Sequence, residues 1–536
     1  MTTTSRFEGS ATIPSLVRYA AQQFPDREYI ITPTRRITFG ATELQSRRLA
    51  QHLLRSGIGK GSRVGILFPQ GPDFVVAFLA ITRIGAIAVP LSTFLKAPEL
   101  RQAVRHADIG TLIAPRTLLG RDTEEMFESV WPELGSAGDS DLVLADAPYL
   151  RQIWLCGGVA PRWAVGLPQV AELGGEPAIA DKLLVALEAQ VVPSDLMVFV
   201  YTSGATAEPK AVMHTHGGQI RHAWALAQIY GLDHDARTFT NMPFFWVGGL
   251  TVVVLSHLHV GGAVITVERM DNTEMLDLIE ATRPVRVLGW TLYERLSADP
   301  SFAHRDLAGI EFPIPDLLAA GLRHNSLGMS ETGGPHTGVV VATNKVDLAE
   351  PLRGSFGPPV TGMHHKIVDP ETGEEVADGV EGEICVRGDS LMDGLYKKER
   401  RDTFDADGWY HTGDKGAFRD GLLFFTGRLT EMIKTGGANV APREVELAVE
   451  SLPGVKAAFV VGIPDPERGE LVSCLVCPEP GQQLDAPSIT AALGDQLATY
   501  KIPRKIVVVP YDDAPWLPSG KVSKPRIVEL LTEARS

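Results

Sequence analysis

The sequence predicts a protein of α/β class: a large N-terminal domain of α/β subdomains with a β-rich subdomain, then a small C-terminal α/β domain. Three observations carry this. Short apolar runs alternate with helical patterns from residue 13 to 114. Short strands parted by turns at 369–373 and 377–382 give the β-rich part. Beyond a glycine-bearing stretch at 427–437 the chain reads helix, strand, strand, helix. At 536 residues it exceeds one ordinary core, so two or more domains are expected.

In order, the apolar spacing is helical over 13–24, strand-like over 36–39 and helical again over 43–54. A turn at 57–61 leads to a buried strand at 64–67, a helix at 74–84, a strand at 86–90, a helix at 98–106 and a strand at 111–114. From 116 to 195 the pattern loosens into acidic segments containing Gly and Pro, with strands expected at 142–144 and 152–155. A buried run at 196–201 stops at small polar residues, a second strand follows Lys210, and 218–230 reads as a helix. Residues 250–267 carry no formal charge, but His257, His259 and the Gly261-Gly262 break fit a buried helix turning into a strand better than a membrane span. The last part is read as a helix at 442–451, strands at 455–462 and 471–477, and a helix at 487–497.

Composition narrows the function classes. With 21% charged residues and a formal net charge of -15, nucleic acid is not an expected partner. Four cysteines are too few and too scattered for a secreted disulfide framework. Cys474-x-x-Cys477 has no second ligand pair nearby and is read as two buried strand cysteines, not a zinc or redox pair. The N-terminus lacks the apolar core of a secretory signal, and a cytoplasmic enzyme without a transmembrane segment is expected.

The stretch from Val198 to His216 carries the chemistry. A β run ends at Thr202-Ser203-Gly204, crosses a loop holding Thr206, and meets Lys210 before a second strand. Small residues admit phosphate oxygens to main-chain N–H groups, the hydroxyls add neutral donors, and the lysine adds a point charge. An ordinary polar hairpin is the alternative. It is not a Walker loop, because Pro209 precedes Lys210 and a strand follows; nor does a Rossmann glycine fingerprint open a helix.

Thr202-Ser203-Gly204-x-Thr206-x-x-Pro209-Lys210 resembles the phosphate loop of the adenylate-forming superfamily, which includes acyl-CoA synthetases. Ala205, Ala207 and Ala211 depart from it, standing where the family usually has Thr or Ser, Gly and Gly. Further motifs follow in the family's order over nearly the whole chain. Leu327-Gly328-Met329-Ser330-Glu331 resembles the second nucleotide motif, which implies Leu327 and Gly328 beside adenine, Ser330 on the α-phosphate and Glu331 on Mg²⁺. Leu327 replaces the usual aromatic residue, and the segment 306–324 before it looks abbreviated. The resemblance implies that Asp414 holds the ribose hydroxyls, Arg428 contacts the nucleotide, and Thr430 is the hinge between domains 1–429 and 430–536. Lys521 matches the catalytic lysine of a mobile lid, and rotation about Thr430 brings the face of Lys434 to the thiol tunnel. Helix cap, turn aspartate and solvated lysine are the ordinary alternatives for Glu331, Asp414 and Lys521.

The aromatic turn 241–249 resembles the border of the family's acyl pocket, with Trp246 as wall and Gly248 and Gly249 as floor. Core packing is the alternative for Trp246. The resemblance thus implies an AMP-forming acyl-CoA synthetase using ATP, Mg²⁺ and coenzyme A on an apolar carboxylic acid, of medium or long chain or bulky and cyclic. Transfer to a carrier protein, oxidation of the adenylate as in luciferases, and a non-catalytic acyl-nucleotide binder stay open, as does a homodimer.

Overall fold

The computed structural model describes residues 7–136, 142–170, 173, 179–202, 210–289, 292–312, 326–338, 353–429, 433–435, 438–440, 442–465, 468–494, 496–497, 500–517 and 522–533. Two sheets organise the first half. In the larger, the strands run Gly394–Leu395, Lys210–Thr215, Leu196–Thr202, Ile87–Pro90, Arg63–Ile66, Thr111–Pro115, Gln152–Cys156 and Val165–Leu167. All neighbours from Leu196–Thr202 onward pair in parallel. The second sheet has order Arg286–Leu288, Arg237–Thr240, Ala263–Ile265, Glu28–Ile31, Arg36–Thr38.

Helices fill the space around these sheets. Pro72–Arg83 starts with Pro72 and Asp73 in its first turn, where a missing N–H and a negative charge both suit a helix start. Every one of its residues except Asp73 is buried, as expected of a helix apolar all round. Phe39–Arg55 packs beside it and begins four residues earlier than the spacing suggested, because Thr38 caps it by accepting the Ala41 amide. The expected strand at 142–144 is not formed; Leu144 makes only an isolated bridge to Ala147. Residues 248–260 are helical and Ala263–Ile265 is a strand, matching the reading of that uncharged stretch.

A four-stranded antiparallel sheet follows, Met363–Val368, Gly382–Gly388, Tyr410–Arg419, Leu422–Arg428. Residues from 433 to 531 build cores of their own around Val455–Asp465 and Gly469–Pro478, under the helices Pro442–Glu450 and Lys524–Glu533. Cys474 and Cys477 are buried free thiols in that sheet, as read from the sequence. Among the described residues no helix is long and apolar enough to cross a membrane.

Candidate active site

The hairpin expected to hold phosphate is an antiparallel pair whose last register places Thr202 opposite Lys210. Ser203, Gly204 and Thr206 lie outside the described residues, so the loop's two ends are what the structure shows. Lys210 is exposed. Ala211, one of the departures, is fully buried opposite Tyr201 in regular strand, so its methyl is absorbed by the core.

Glu331 sits on a one-turn 3₁₀ helix, Ser330–Thr332, at the tip of the hairpin Ser326–Met329 and Gly334–Gly338. Three contacts seat this turn against the rest of the site. His214, on the second phosphate strand, donates from Nε2 to the Ser330 carbonyl at 2.7 Å; burial lowers its pKa to about 4, so the ring is neutral and the bond fixes its tautomer. The Met392 amide donates to the Glu331 carbonyl at 2.8 Å. The Tyr410 hydroxyl donates to Glu331 Oε1 at 3.4 Å. Burial first, and the Glu331 charge second, push the Tyr410 phenol far above its ordinary range, so it stays a donor.

Asp414 lies four residues along from Tyr410 on the same strand and is 3% exposed. Its Oδ1 is 2.7 Å from Nε of Arg428, its direct partner on the next strand. Thr412 fixes the backbone here, donating from Oγ1 to the Ile384 carbonyl and accepting the Asp414 amide. Leu327 is half-buried against the core of the β-rich sheet. At Gly328 a Cβ would fall 2.5 Å from the Gly334 and Pro335 backbone, so glycine is required by the tight hairpin itself.

Around the aromatic turn, Trp246 is half-buried with its ring 5.0 Å from Phe245 and 6.4 Å from Phe94. Gly249 lets two backbones meet, since a Cβ there would lie 2.2 Å from the Pro243 carbonyl oxygen. A π-helical segment, Gly248–Leu255, leads away from the turn; such segments are rare and recur at functional sites. Lys434 belongs to the strand Ile433–Thr435 in the C-terminal sheet. Thr430 and Lys521 lie outside the described residues.

Phosphate strand, Glu331 turn, and Asp414–Arg428 pair are therefore joined by named bonds, through His214 on one side and Tyr410 on the other. Both joints were missed in the sequence; Tyr410 stands inside the Gly-Trp-Tyr-His-Thr-Gly-Asp motif, but nothing in its spacing marks it as Glu331's neighbour. The set fits a magnesium nucleotide: a half-buried carboxylate with a phenol donor for a hard cation, a buried carboxylate for vicinal hydroxyls, and a lysine and an arginine for phosphate charge.

A family model described as AMP-binding enzyme matches residues 17–396, and one described as AMP-binding enzyme C-terminal domain matches residues 444–521. The chain is 30% identical over 503 residues to a feruloyl-CoA synthase of Amycolatopsis, covering 91% of this chain and 92% of that one. It is 30% identical over 546 residues, covering 97% and 99%, to a Mycobacterium tuberculosis CoA ligase named for a methyl- and dioxo-substituted octahydroindenyl propanoyl group. In fold it resembles an anthranilate CoA ligase solved in complex with anthranoyl-AMP, with a TM-score of 0.81, 23% identity and 98% of each chain covered.

Proposed function

From the premise that the chain belongs to the AMP-binding enzymes, and is an adenylate-forming CoA ligase among them, we propose that it activates an apolar, bulky cyclic carboxylic acid. ATP and the acid give an acyl-adenylate and pyrophosphate; CoA thiol then displaces AMP and takes the acyl group. The observation that carries this reading is the junction at Glu331, which Tyr410 ties to the strand of Asp414 and His214 ties to the strand of Lys210. The aromatic wall of Trp246, Phe245 and Phe94 supports a cyclic acid, and so do the ring-bearing acids in the relatives' names.

The residues take the following roles. Mg²⁺ beside Glu331 supplies neutralisation of the triphosphate charge. Asp414 accepts hydrogen bonds from the ribose, and Arg428, already ion-paired to it, orients that carboxylate and faces the nucleotide. Thr202, Ser203, Gly204, Thr206 and Lys210 cradle the phosphates, and Ser330 adds a hydroxyl. Lys521 bridges the attacking carboxylate and the α-phosphate, so positioning and charge neutralisation carry the first step. A swing of residues 430–536 about Thr430 then withdraws Lys521 and brings Lys434 to the thiol.

The test separates the half-reactions. Lys521→Ala is expected to lose acid-dependent pyrophosphate exchange while still forming thioester from supplied acyl-AMP and CoA. Equal loss of both steps would overturn the assigned division, and no exchange by the native protein with any acid would overturn the ligase reading.

A further inference from the structure

The strand Gly382–Gly388 lies between Met363–Val368 and Tyr410–Arg419, and its pairing with the second of these is irregular. Cys385 is paired with His411 and Glu383 with Lys415, so Thr412, Gly413 and Asp414 bulge opposite the single residue Ile384. At the foot of this bulge three side chains of metal-ligating type converge. The Glu383 carboxylate, the Cys385 thiol and the His411 ring bring ligand atoms within 4.8 Å of one another. The roles proposed above use none of them.

His411 Nδ1 is 2.8 Å from Glu383 Oε2 and 3.5 Å from Cys385 Sγ. A tetrahedral zinc ion, with its usual bond lengths, holds neighbouring nitrogen and sulfur ligands about 3.5 Å apart and nitrogen and oxygen ligands about 3.3 Å apart. The thiol and ring are thus already at ligand spacing, and the carboxylate has to move back by roughly half an ångström. An ordinary hydrogen-bonded histidine is the plain alternative. A neutral Nδ1 that donates to Glu383 cannot also accept from the thiol, however, whereas a cation engages all three groups at once.

The surroundings hold the set in this orientation. Glu383 Oε1 accepts the Gly413 amide at 3.0 Å, which leaves Oε2 toward the ring. His411 Nε2 faces Asp405 Oδ2 at 3.6 Å, and Asp405 Oδ1 is fixed by the amides of Asp407 and Trp409. A metal-binding histidine commonly turns its other nitrogen to such an outer carboxylate. Cys385 is fully buried while the His411 side chain is 41% exposed, so the group has a closed floor and a solvent-facing mouth for a water ligand. Lys366 Nζ, 3.4 Å from Asp405 Oδ2, is a competing cation, but one ammonium is outweighed by two carboxylates and a thiol that ionises on binding.

We propose that Glu383, Cys385 and His411 bind a divalent transition-metal ion of zinc type, with His411 bound through Nδ1 and Asp405 as its outer partner. The ion clips the foot of the bulge that carries Asp414. Thiolate and imidazole select such an ion over magnesium, so the site is distinct from the nucleotide's cation at Glu331. Binding displaces the thiol proton to solvent.

The test uses the full-length, untagged protein without nucleotide, and Co²⁺ as a spectroscopic substitute for Zn²⁺. A near-ultraviolet thiolate-to-cobalt band is expected to saturate at a single equivalent and to vanish when Zn²⁺ is added. Cys385→Ser and His411→Ala should both lose the band, while Glu331→Gln keeps it. Asp405→Asn, which spares the three ligands, should weaken Zn²⁺ binding about ten- to a hundred-fold. Should Cys385→Ser melt early because its position is buried, His411→Ala at an exposed position decides. Absence of a thiolate band at saturating Co²⁺, or a band unchanged in His411→Ala, overturns the inference.

Discussion

The guanidinium of Arg428 lies 2.7 Å from the carboxylate of Asp414, yet the two differ sharply in exposure, 47% for the arginine side chain and 4% for the aspartate. An arginine half in solvent gives such a pair little stability, so its value is in orienting a buried carboxylate. Asp414→Ala should therefore raise the KM for ATP by about ten-fold or more, the worth of hydrogen bonds to a charged group, while the melting temperature changes little. An unchanged KM with a large loss of stability would assign Asp414 to the fold instead.

Glu331 makes a sharper demand. Replacing it with Gln keeps the shape and the acceptor for Tyr410 but removes the charge offered to a cation. Adenylate formation is expected to fall by about a hundred- to thousand-fold, the usual cost of one preorganised electrostatic group, with half-saturation moved to higher Mg²⁺. Tyr410→Phe removes only a 3.4 Å bond and should cost far less. The idea fails if the two variants are equally impaired at all magnesium concentrations.

Stability in the N-terminal part hinges on Arg83, whose side chain is wholly buried and bonded to Glu188 Oε1 at 2.6 Å and Glu43 Oε1 at 3.1 Å. Breaking a buried pair costs about 3–5 kcal/mol, and removal of Glu188 leaves the buried guanidinium with Glu43 as its remaining carboxylate partner. Glu188→Ala should thus lower the urea midpoint strongly, whereas Glu28→Ala, which breaks partly exposed pairs with Arg36 and Arg237, should change it little. Equal small shifts would show that Glu43 suffices for Arg83.

The alternation of strands and helices was legible because those elements obey one period each: the buried strands Arg63–Ile66 and Ile87–Pro90 and the apolar helix Pro72–Arg83 stand out from their flanks. Glu28–Ile31, Arg237–Thr240 and Arg286–Leu288 were missed. Candidate site residues could be named only where they sit in a contiguous motif, as Glu331 and Asp414 do. The joints at His214 and Tyr410 could not, because each lies on a different element from Glu331 and meets it only in the fold.

Buried histidines set the acid limit of the molecule. Burial lowers His216 and His222 to about 3 and His214, His257, His259 and His365 to about 4, against an ordinary value of 6.5. Each folded ring therefore binds its proton later than the unfolded one, and the unfolded chain holds more protons throughout the window from 6.5 down to about 4. Stability is full above that window and declines as pH falls through it, with a slope of about 1.4 kcal/mol per pH unit for each fully buried ring. Carboxylates held low by arginines, such as Glu43, add their loss only at more acid pH. Thermal melts should thus be flat above about pH 7 and drop steeply by about pH 5, with net proton uptake on unfolding in calorimetry at the lower pH. A melting temperature unchanged between those two values would mean that the rings are hydrated and free to charge in the folded protein.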